Sequence, residues 1–547
     1  MKGNWWKEAV AYQIYPRSFN DSNGDGIGDL RGITEKLDYL KDLGIDLIWI
    51  CPMYKSPNDD NGYDISDYQG IMEEFGTMDD FDELLAECHT RNIKLIIDLV
   101  INHTSDEHPW FLESKSSKDS EKRDWYIWKE GKEDAEPNNW ESIFTGSAWE
   151  YDENTAEYFL HIFSKKQPDL NWKNKDVRKA LYEMINWWLD KGVDGFRIDA
   201  ISHINKEKDF IDMPNPKGLK YVSSFDKHMN VKGIHKYLKE LKDETFAKYD
   251  IVTVGEANGV SSKEAPQWVS EEKGKFNMLF QFEHLSLWES DNHTGFSPLK
   301  YKQILSKWQK ALEGKGWNAL FIENHDITRV VSRWCDEKKY FDLASKAFGL
   351  TYFMLKGTPF IYQGQEIGMT NVKFENIDMY DDIHSLNSYK EKLAEGMSEM
   401  EAIESVYKHS RDNARTPMQW NNSKYAGFST KKPWISVNKN YKTINVENQL
   451  KDPQSVLNFY KTIIKLKKTS KALIYGTYKL LLPKSKYIFA YERELEGEKY
   501  LVVSNLNSKI VKIPSNSLNF TGELVLSNYN ENSSVSLAPW ECRIYRV

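Results

Sequence analysis

The sequence predicts an α/β protein: a closed (β/α)8 TIM barrel with a B domain inserted after the third strand and a C-terminal antiparallel β-sandwich domain. Two observations lead to this prediction. Short β-branched or aromatic runs alternate with longer helical patterns through most of the 547 residues, and four short strand-like runs follow the last helical pattern. Alternation of strand and helix is typical of a parallel sheet, whereas consecutive short strands indicate an antiparallel sheet.

The strand-like runs number eight, which is the number of strands in a closed barrel of this kind. In chain order they are AVAYQIYP, DLIWIC, KLIIDLV, GFRID, IVTVGE, NMLFQF, NALFIE and TPFIYQ. Helical patterns separate most of them, near 30–43, 79–92, 176–191, 234–247, 301–312 and 341–355.

The alternation stops once, after Val100, and this break indicates an insertion. Residues 102–171 are rich in Asp, Glu, Lys, Trp and Asn and carry no long periodic segment. Near the C-terminus, KYIFAYERE, KYLVVSNLN, GELVLSN and ECRIYRV read as short strands. The expected domains are therefore the barrel in two parts, 1–103 and 175–477, the inserted B domain, 104–174, and the C-terminal β domain, 478–547.

Composition excludes several classes of partner. The formal net charge is -9 and the chain has no long basic run, so no electrostatic footprint for nucleic acid or an anionic membrane is present. No stretch reaches about 18 apolar residues, and the N-terminal segment lacks the apolar region of a secretory signal. The four cysteines are far apart and form no CxxC pair, as expected for reduced thiols. We expect a cytoplasmic protein that is a monomer or a weak homodimer.

Three carboxylates follow strand-like runs closely. They are Asp199 in GFRIDA, Glu256 in TVGEA and Asp326 in FIENHD. Because the C-terminal ends of barrel strands converge on one face, these side chains are expected to share a pocket. A pair of carboxyl groups, one ionised and one protonated, is what the cleavage of a glycosidic bond requires.

The three carboxylates are assigned different roles. Arg197 and Asp199 lie two apart in a strand and share a face, so the guanidinium should keep Asp199 ionised as the nucleophile. Partial burial and the nearby charge of Asp199 favour the protonated form of Glu256, which suits a general acid. Asp326 is expected to accept hydrogen bonds from ring hydroxyls in the transition state. Each motif alone is more often structural; their combination favours the catalytic interpretation.

Other polar residues are candidates for contacts with sugar hydroxyls. His325 and His103 are neighbours of the predicted catalytic segments. NGYDISDY around Asp64 and RDNARTPMQW around Arg411 and Arg415 could supply a carboxylate and a guanidinium to the far end of a terminal sugar. A surface salt bridge explains the last two equally well at this stage.

The segment DSNGDGIGD resembles a calcium-binding loop. Acidic and amide side chains alternate, and Gly26 allows the turn. Position twelve of an EF-hand loop is Gly32 here instead of Glu, so a bidentate ligand is missing. We expect a structural Ca²⁺, with Mg²⁺ as an alternative and a turn without an ion still open. The expected ligands are Asp21, Asn23, Asp25, the Ile27 carbonyl and Asp29.

Taken together, these motifs resemble the α-amylase superfamily, glycoside hydrolase family 13, in its oligo-1,6-glucosidase and α-glucosidase branch. The resemblance is carried along nearly the whole chain by QIYPRSF, DSNGDGIGDL, NGYDISDY, DLVINHTS, GFRIDA, VGEANG, ENHD and RDNARTPMQW. It implies a retaining, exo-acting mechanism on small oligosaccharides. The implied binding residues at the terminal glucose are Tyr63, Asp64, His103, Phe163, Gln167, Arg197, His325 and Arg411.

Linkage preference depends on the residue directly after the nucleophile. In relatives, valine there accompanies α-1,6 activity, whereas alanine or threonine accompanies α-1,4 activity; here it is Ala200. A methyl-scale difference provides roughly 1–3 kcal/mol of discrimination. The sequence therefore predicts an α-glucosidase acting on maltose and malto-oligosaccharides, with oligo-1,6-glucosidase as the alternative.

Other activities on the same fold stay open: a transglucosidase, a sucrose isomerase or a trehalose-6-phosphate hydrolase. ITRVVSRW matches the arginine-rich loop of sucrose-isomerising relatives poorly, and no basic subsite for a phosphate is evident. A binding subunit without catalysis is disfavoured because all three carboxylates are present. The chain has no GxSxG, HExxH or GxxxxGK[ST] motif, so serine hydrolase, metalloprotease and P-loop interpretations lack support.

Overall fold

A computed structural model describes residues 4–133, 135–288, 296–515, 517–518 and 520–547. Its centre is a parallel sheet with the predicted number of eight strands. Strands that follow each other along the chain are mostly paired in this sheet. We number these strands β1 to β8. They are β1 Ala11–Ile14, β2 Leu47–Ile50, β3 Lys94–Val100, β4 Gly195–Asp199, β5 Val252–Glu256, β6 Met278–Phe280, β7 Ala319–Leu320 and β8 Thr358–Tyr362.

The sheet closes into a barrel. β1 pairs with both β2 and β8, and a parallel bridge between Leu279 and Asn318 joins β6 to β7. Side chains of β4 and most of those of its neighbours are buried on both faces, which explains why these runs read as nearly continuous apolar segments. The predicted (β/α)8 fold is confirmed.

Helices cover the outside of the barrel, close to the predicted positions. Lys175–Lys191 shows how the sequence delimits one: the Asn174 side chain accepts a hydrogen bond from the Asp176 amide, and Gly192 ends the helix with φ 107°. The helices that pack around the strands are Leu30–Glu35, Leu37–Leu43, Met78–Thr90, Lys175–Lys191, Ile234–Glu244, Ala265–Val269, Pro298–Leu312, Val330–Trp334, Glu337–Phe353, Val456–Thr469 and Lys471–Tyr475.

Two longer segments extend the loops after β3 and β8. After β3 the inserted segment contains the helix Pro109–Ser114 and a three-stranded antiparallel sheet of Trp128–Lys129, Glu157–Leu160 and Trp149–Asp152. A strand further along, Val222–Ser223 after β4, pairs with Trp140–Glu141 of this segment. After β8 the helices Ile383–Ala394, Glu399–His409, Asp412–Arg415 and Val446–Lys451 follow. The sequence did not predict this second group of helices.

The C-terminal part forms a five-stranded antiparallel sheet with a separate strand pair against it. The five strands are Thr477–Leu481, Ile488–Leu495, Glu498–Asn505, Cys542–Arg546 and Glu523–Ser527, and the pair is Val511–Lys512 with Ser536–Leu537. Leu537 of the pair is buried with Ile488 and Val503 of the larger sheet, so the two sheets share an apolar core. None of the helices in the described residues has the length and apolar character needed to cross a membrane.

One glycine fixes the approach of the two strands that carry the predicted catalytic pair. Gly195 begins β4 with φ +135°, and a Cβ there would lie 1.8 Å from the Val252 carbonyl oxygen of β5. A side chain at this position would push the strands apart. Gly195 therefore helps to set the distance between Asp199 and Glu256, which end the same two strands.

Candidate active site

A pocket of about 460 Å³ opens at the C-terminal ends of the barrel strands. Its volume lies in the range of small-molecule sites, about 300–1,000 Å³. All three predicted catalytic carboxylates line it, together with five of the predicted binding residues: Tyr63, His103, Phe163, Ala200 and Arg411. Aromatic and aliphatic side chains form much of the remaining wall, including Phe144, Phe225, Phe282, Leu285, Trp288 and Ile327.

Arg197 lies beneath the pocket and contacts the carboxylates at its floor. Its Nη1 lies 2.7 Å from Asp199 Oδ1 and 2.7 Å from Asp98 Oδ1, and its Nη2 lies 2.8 Å from Glu256 Oε2. One buried guanidinium thus holds carboxylates from three strands, β3, β4 and β5. The two predicted catalytic carboxyl groups therefore lie beside each other on one guanidinium.

This crowding changes the expected ionisation of Asp199. Burial raises the pKa of Asp199 well above its usual range, Arg197 opposes the shift, and the charges of Glu256 and Asp98 add to it. The single guanidinium is shared among three carboxylates, so its effect on Asp199 is smaller than the sequence suggested. Asp199 consequently retains a proton more readily than an exposed aspartate would.

Ala200 is part of the same arrangement through its backbone. It adopts a left-handed conformation, φ 43° and ψ 31°, directly after β4. Its N–H donates to Glu256 Oε2 at 2.8 Å, while its methyl group lines the pocket. Strained backbone that positions a reacting group is common at functional sites.

Asp326 faces the pair from the loop after β7 and is surrounded by positive charge. Arg415 Nη2 lies 2.9 Å and Arg411 Nη1 3.4 Å from Asp326 Oδ1. Burial would raise the pKa of Asp326, but these charges outweigh it and hold the pKa below its usual range. Burial lowers the pKa of the adjacent His325 to about 3, so this imidazole is neutral near pH 7 and the arginines provide the charge. Asp326 is therefore ionised at neutral pH.

Arg411 closes one end of the pocket. Its Nη2 lies 3.0 Å from Asp60 Oδ1 and 2.6 Å from Asp382 Oδ1, and its Nε donates to Asp382 at 2.8 Å. The guanidinium therefore joins three carboxylates, Asp60, Asp326 and Asp382. A sugar that enters the pocket meets this charged wall at its far end.

Asp60, and not Asp64, is the carboxylate that the loop around NGYDISDY presents to the pocket. Asp64 is fully buried and accepts hydrogen bonds from Ser56 Oγ at 3.0 Å and from the backbone amides of Asp59 and Asp60 at 2.8 and 3.0 Å. These bonds hold the loop that presents Asp60. Because Asp64 is enclosed, the structure gives it a loop-stabilising position instead of the predicted position on the sugar.

Three further predicted binding residues do not line the pocket but lie directly behind residues that do. Gln167 is buried and donates to Asp60 Oδ2 at 3.1 Å, with its Nε2 also 3.1 Å from His103 Nε2. His325 Nε2 lies 2.7 Å from the Tyr63 hydroxyl, and the two rings stack with centroids 5.3 Å apart. Arg197, as described, lies beneath the carboxylates. In this conformation these three act through residues that line the pocket.

His103 is the lining residue most enclosed by its surroundings. Its Nε2 lies 3.1 Å from the Tyr63 carbonyl oxygen, and its ring contacts Phe163 with centroids 5.2 Å apart. Burial lowers the pKa of His103 to about 4. The imidazole is therefore neutral near pH 7. Both ring nitrogens have protein partners, Asn102 at Nδ1 and Tyr63 and Gln167 at Nε2, and these contacts fix its orientation on the pocket wall.

Sequence reasoning did not select three residues of this network: Asp60, Asp98 and Asp382. Asp98 lies inside KLIIDLV, where a charged residue within an apolar strand was a signal that could have been used. Its burial raises its pKa to about 6 against the effect of Arg197. Asp382 directly precedes an unpredicted helix, and no local pattern in the sequence distinguishes it.

The predicted metal loop is a compact turn beside the barrel. The side-chain oxygens of Asp21, Asn23 and Asp25 each accept a backbone N–H within the loop at 2.6–2.8 Å. Asp29 caps the helix Leu30–Glu35 by accepting from the Gly32 amide at 2.6 Å. No group of three or more His, Cys, Asp or Glu side chains in the described part of the chain is arranged for a metal ion. Carboxylate, amide and carbonyl oxygens are nevertheless the donors that Ca²⁺ prefers, and these groups keep free lone pairs.

A barrel with three carboxylates and an arginine-closed pocket at its C-terminal face defines a glycoside hydrolase, and comparison with known proteins agrees. Residues 13–476 match the α-amylase family, "Alpha amylase, catalytic domain". The chain belongs to this family.

The relatives extend over the whole chain. It is 58% identical to "Probable oligo-1,6-glucosidase 3" of Bacillus subtilis (strain 168) and 53% identical to an oligo-1,6-glucosidase of Parageobacillus thermoglucosidasius, covering 100% of both chains in each case. Among solved structures, trehalose-6-phosphate hydrolase of Bacillus licheniformis is similar with TM-score 0.91 and 44% identity, covering 100% of both chains. The isomaltulose synthase of Erwinia rhapontici NX5 is similar with TM-score 0.93 and 42% identity, covering 100% of this chain and 99% of that one.

Proposed function

We propose that this protein is a retaining, exo-acting α-glucosidase that removes single glucose units from the non-reducing end of short α-1,6-linked gluco-oligosaccharides. One observation carries the catalytic part: Asp199 and Glu256 share the Arg197 guanidinium at the pocket floor while an ionised Asp326 faces them. Because both carboxyl groups contact the same guanidinium, at 2.7 and 2.8 Å, they lie on one side of the pocket and close to each other. Such spacing supports a covalent intermediate and retention of configuration.

The first step requires the ionised form of Asp199, which Arg197 favours against the effect of burial. Asp199 attacks the anomeric carbon as the bond to the leaving oxygen breaks and Glu256 transfers its proton to that oxygen. In the second step, Glu256 takes a proton from water, the water oxygen bonds to the anomeric carbon, and the bond to Asp199 breaks. Asp326 accepts hydrogen bonds from ring hydroxyls and stabilises the positive charge of the oxocarbenium-like transition state.

The charged wall at Arg411 supports removal of one sugar at a time. Arg411 and Asp60 line the pocket next to Asp326, and the buried Asp382 holds Arg411 from behind. A terminal glucose can place its distal hydroxyls against this wall, whereas an internal sugar would need the chain to continue through it. Exo action follows from this closed end.

The two sources of information on linkage differ. Relatives at 53–58% identity over their full length are named oligo-1,6-glucosidases, which supports α-1,6 bonds. The Ala200 methyl on the pocket wall supports the α-1,4 preference predicted from the sequence, since it leaves more room beside the leaving group than valine would. Full-length similarity carries more weight than one side chain, so α-1,4 cleavage is the second candidate.

A comparison of rates tests the proposal. Purified protein is incubated with 4-nitrophenyl α-D-glucoside, isomaltose, maltose, sucrose, trehalose and trehalose-6-phosphate, and kcat/KM is measured for each. We expect hydrolysis of the nitrophenyl glucoside and a higher kcat/KM for isomaltose than for maltose. A higher value for maltose selects the second candidate, and a higher value for trehalose-6-phosphate or isomerisation of sucrose refutes both.

We also propose that the loop of Asp21, Asn23, Asp25, Ile27 and Asp29 holds a structural Ca²⁺, as its oxygen donors suggest. The ion would tie the loop between β1 and the helix Leu30–Glu35 and would take no part in catalysis. The four cysteines form no disulfide bond, which supports a location in the cytoplasm. There the enzyme would act on small oligosaccharides without being attached to a membrane.

A further inference from the structure

Lys206 is a buried cation near the active site that the mechanism above does not use. It lies in the loop after β4, seven positions beyond Asp199, and its side chain is 2% exposed. Its Nζ lies 2.6 Å from Asp169 Oδ1 and donates to Asn102 Oδ1 at 2.8 Å. Asp169 is at the end of the inserted segment and Asn102 follows β3. One ammonium group thus joins the loop after β4 to both ends of the segment inserted after β3.

The same contacts lead directly to His103. Asn102 Nδ2 donates to Asp169 Oδ1 at 2.8 Å and lies 3.2 Å from His103 Nδ1. Backbone contacts link the same two segments: His103 and Asp169 form an antiparallel bridge, and the Leu170 amide donates to the Asn102 carbonyl at 3.0 Å. Any shift of Asn102 or Asp169 is therefore passed to an imidazole that lines the sugar pocket.

The positive charge of Lys206 is what keeps this junction closed. The Asp169 side chain is fully buried, and Lys206 is the cation found within 4.0 Å of it in the described part of the chain. A buried carboxylate without a counterion is strongly unfavourable. If the ammonium is removed, Asp169 must gain a proton or move toward solvent, and either change alters the hydrogen bonds of Asn102.

We propose that Lys206 is a positioning residue: its ammonium ties Asp169 and Asn102 together and so fixes His103 against the terminal sugar. It acts through His103 and does not contact the substrate. This inference rests on the proposed function, because it assumes that the pocket holds a glucose unit.

The test compares two buried lysines. Lys206→Met removes the ammonium beside the pocket. Lys302→Met is the matched control, because Lys302 is also buried but its Nζ donates to the carbonyls of Leu482, Ser485 and Ile488, in the C-terminal part of the chain. For each protein we measure the inhibition constant of glucose, kcat and KM for 4-nitrophenyl α-D-glucoside, and the melting temperature.

We expect Lys206→Met to raise the inhibition constant of glucose and KM at least tenfold, whereas Lys302→Met leaves both within twofold. An unchanged inhibition constant in Lys206→Met overturns the inference, as does an equal change in the two variants. If Lys206→Met does not fold, Asn102→Ala is the second test, because it removes the link to His103 and keeps the ion pair of Lys206 and Asp169. The inference requires that the inhibition constant of glucose rises in this variant too. Failure of the proposed function is seen separately, as no hydrolysis by the unaltered protein.

Discussion

Replacing Arg411 by methionine tests the pocket end most directly. Arg411 is 12% exposed at its side chain and touches Asp60, Asp326 and Asp382. Methionine keeps much of the volume but removes the charge and every hydrogen bond. Three carboxylates then remain close together with Arg415, which lies 2.9 Å from Asp326, as the nearest guanidinium.

The size of the effect follows from these contacts. Truncating one partner of a buried, hydrogen-bonded charge pair at a binding surface costs about 2–5 kcal/mol of binding free energy. Because Arg411 keeps some exposure and Arg415 still faces Asp326, we take a value in the lower half of this range, about 3 kcal/mol. With 1.36 kcal/mol for each factor of ten, kcat/KM for 4-nitrophenyl α-D-glucoside should fall roughly 150-fold.

The pH dependence provides a second, independent readout. In the unaltered protein, burial acts to raise the pKa of Asp326, and Arg411 and Arg415 help to hold it below its usual range. Loss of Arg411 removes one of the lowering charges, so the pKa of Asp326 rises. The acid limb of kcat/KM reports the essential carboxylate with the highest pKa, which is Asp199, so the rise for Asp326 is read from the pH dependence of stability. The stability that ionised Asp326 contributes above the pKa of the unfolded chain, about 3.9, should be lost at a higher pH than before.

The assay measures kcat/KM from pH 4 to 9 together with the melting temperature. Arg178→Met is the control, because Arg178 is also buried and ion-paired, with its Nε 2.9 Å from Glu240 Oε1, but it does not line the pocket. The control should lose stability and keep kcat/KM within about threefold. If Arg411→Met retains more than a tenth of the activity and its melting temperature depends on pH as in the unaltered protein, the reasoning about the closed, charged end is refuted.

Three further predictions address the nucleophile, the linkage and the metal. Asp199→Asn should lower kcat at least 10³-fold without lowering the melting temperature, and the unaltered enzyme should release α-glucose first from isomaltose, as polarimetry or NMR shows; initial β-glucose would disprove retention. Ala200→Val should raise the ratio of kcat/KM for isomaltose over maltose about tenfold, and an unchanged ratio would remove Ala200 from the linkage argument. Chelation with EDTA should lower the melting temperature by about 2 °C or more, Ca²⁺ should restore it, and Asp21→Asn should abolish the difference; insensitivity to EDTA contradicts the metal proposal.

The sequence was sufficient for the barrel because its strands and helices are local, periodic patterns. It also located the three carboxylates, since each one follows an apolar strand and the C-terminal ends of parallel strands must meet. The pocket-lining carboxylate of the loop around NGYDISDY shows the limit of sequence-based prediction, because the sequence pointed to Asp64 and the structure presents Asp60. Four positions apart in one loop, the two carboxylates differ only in how the loop folds, and hydrogen bonds from the Asp59 and Asp60 amides turn Asp64 inward.

What the sequence determined by itself is the order of strands and helices, the family resemblance and the chemical identity of the groups at the strand ends. The tertiary structure decided which charges form ion pairs. Arg197 contacts three carboxylates, and Lys206 pairs with Asp169. Arg411 pairs with Asp382, which lies in a segment that has no sequence signal. The reason is physical. Backbone periodicity is set by neighbouring residues, whereas ionisation and ion pairing depend on distances between groups that are far apart in the chain and come together only when the barrel closes.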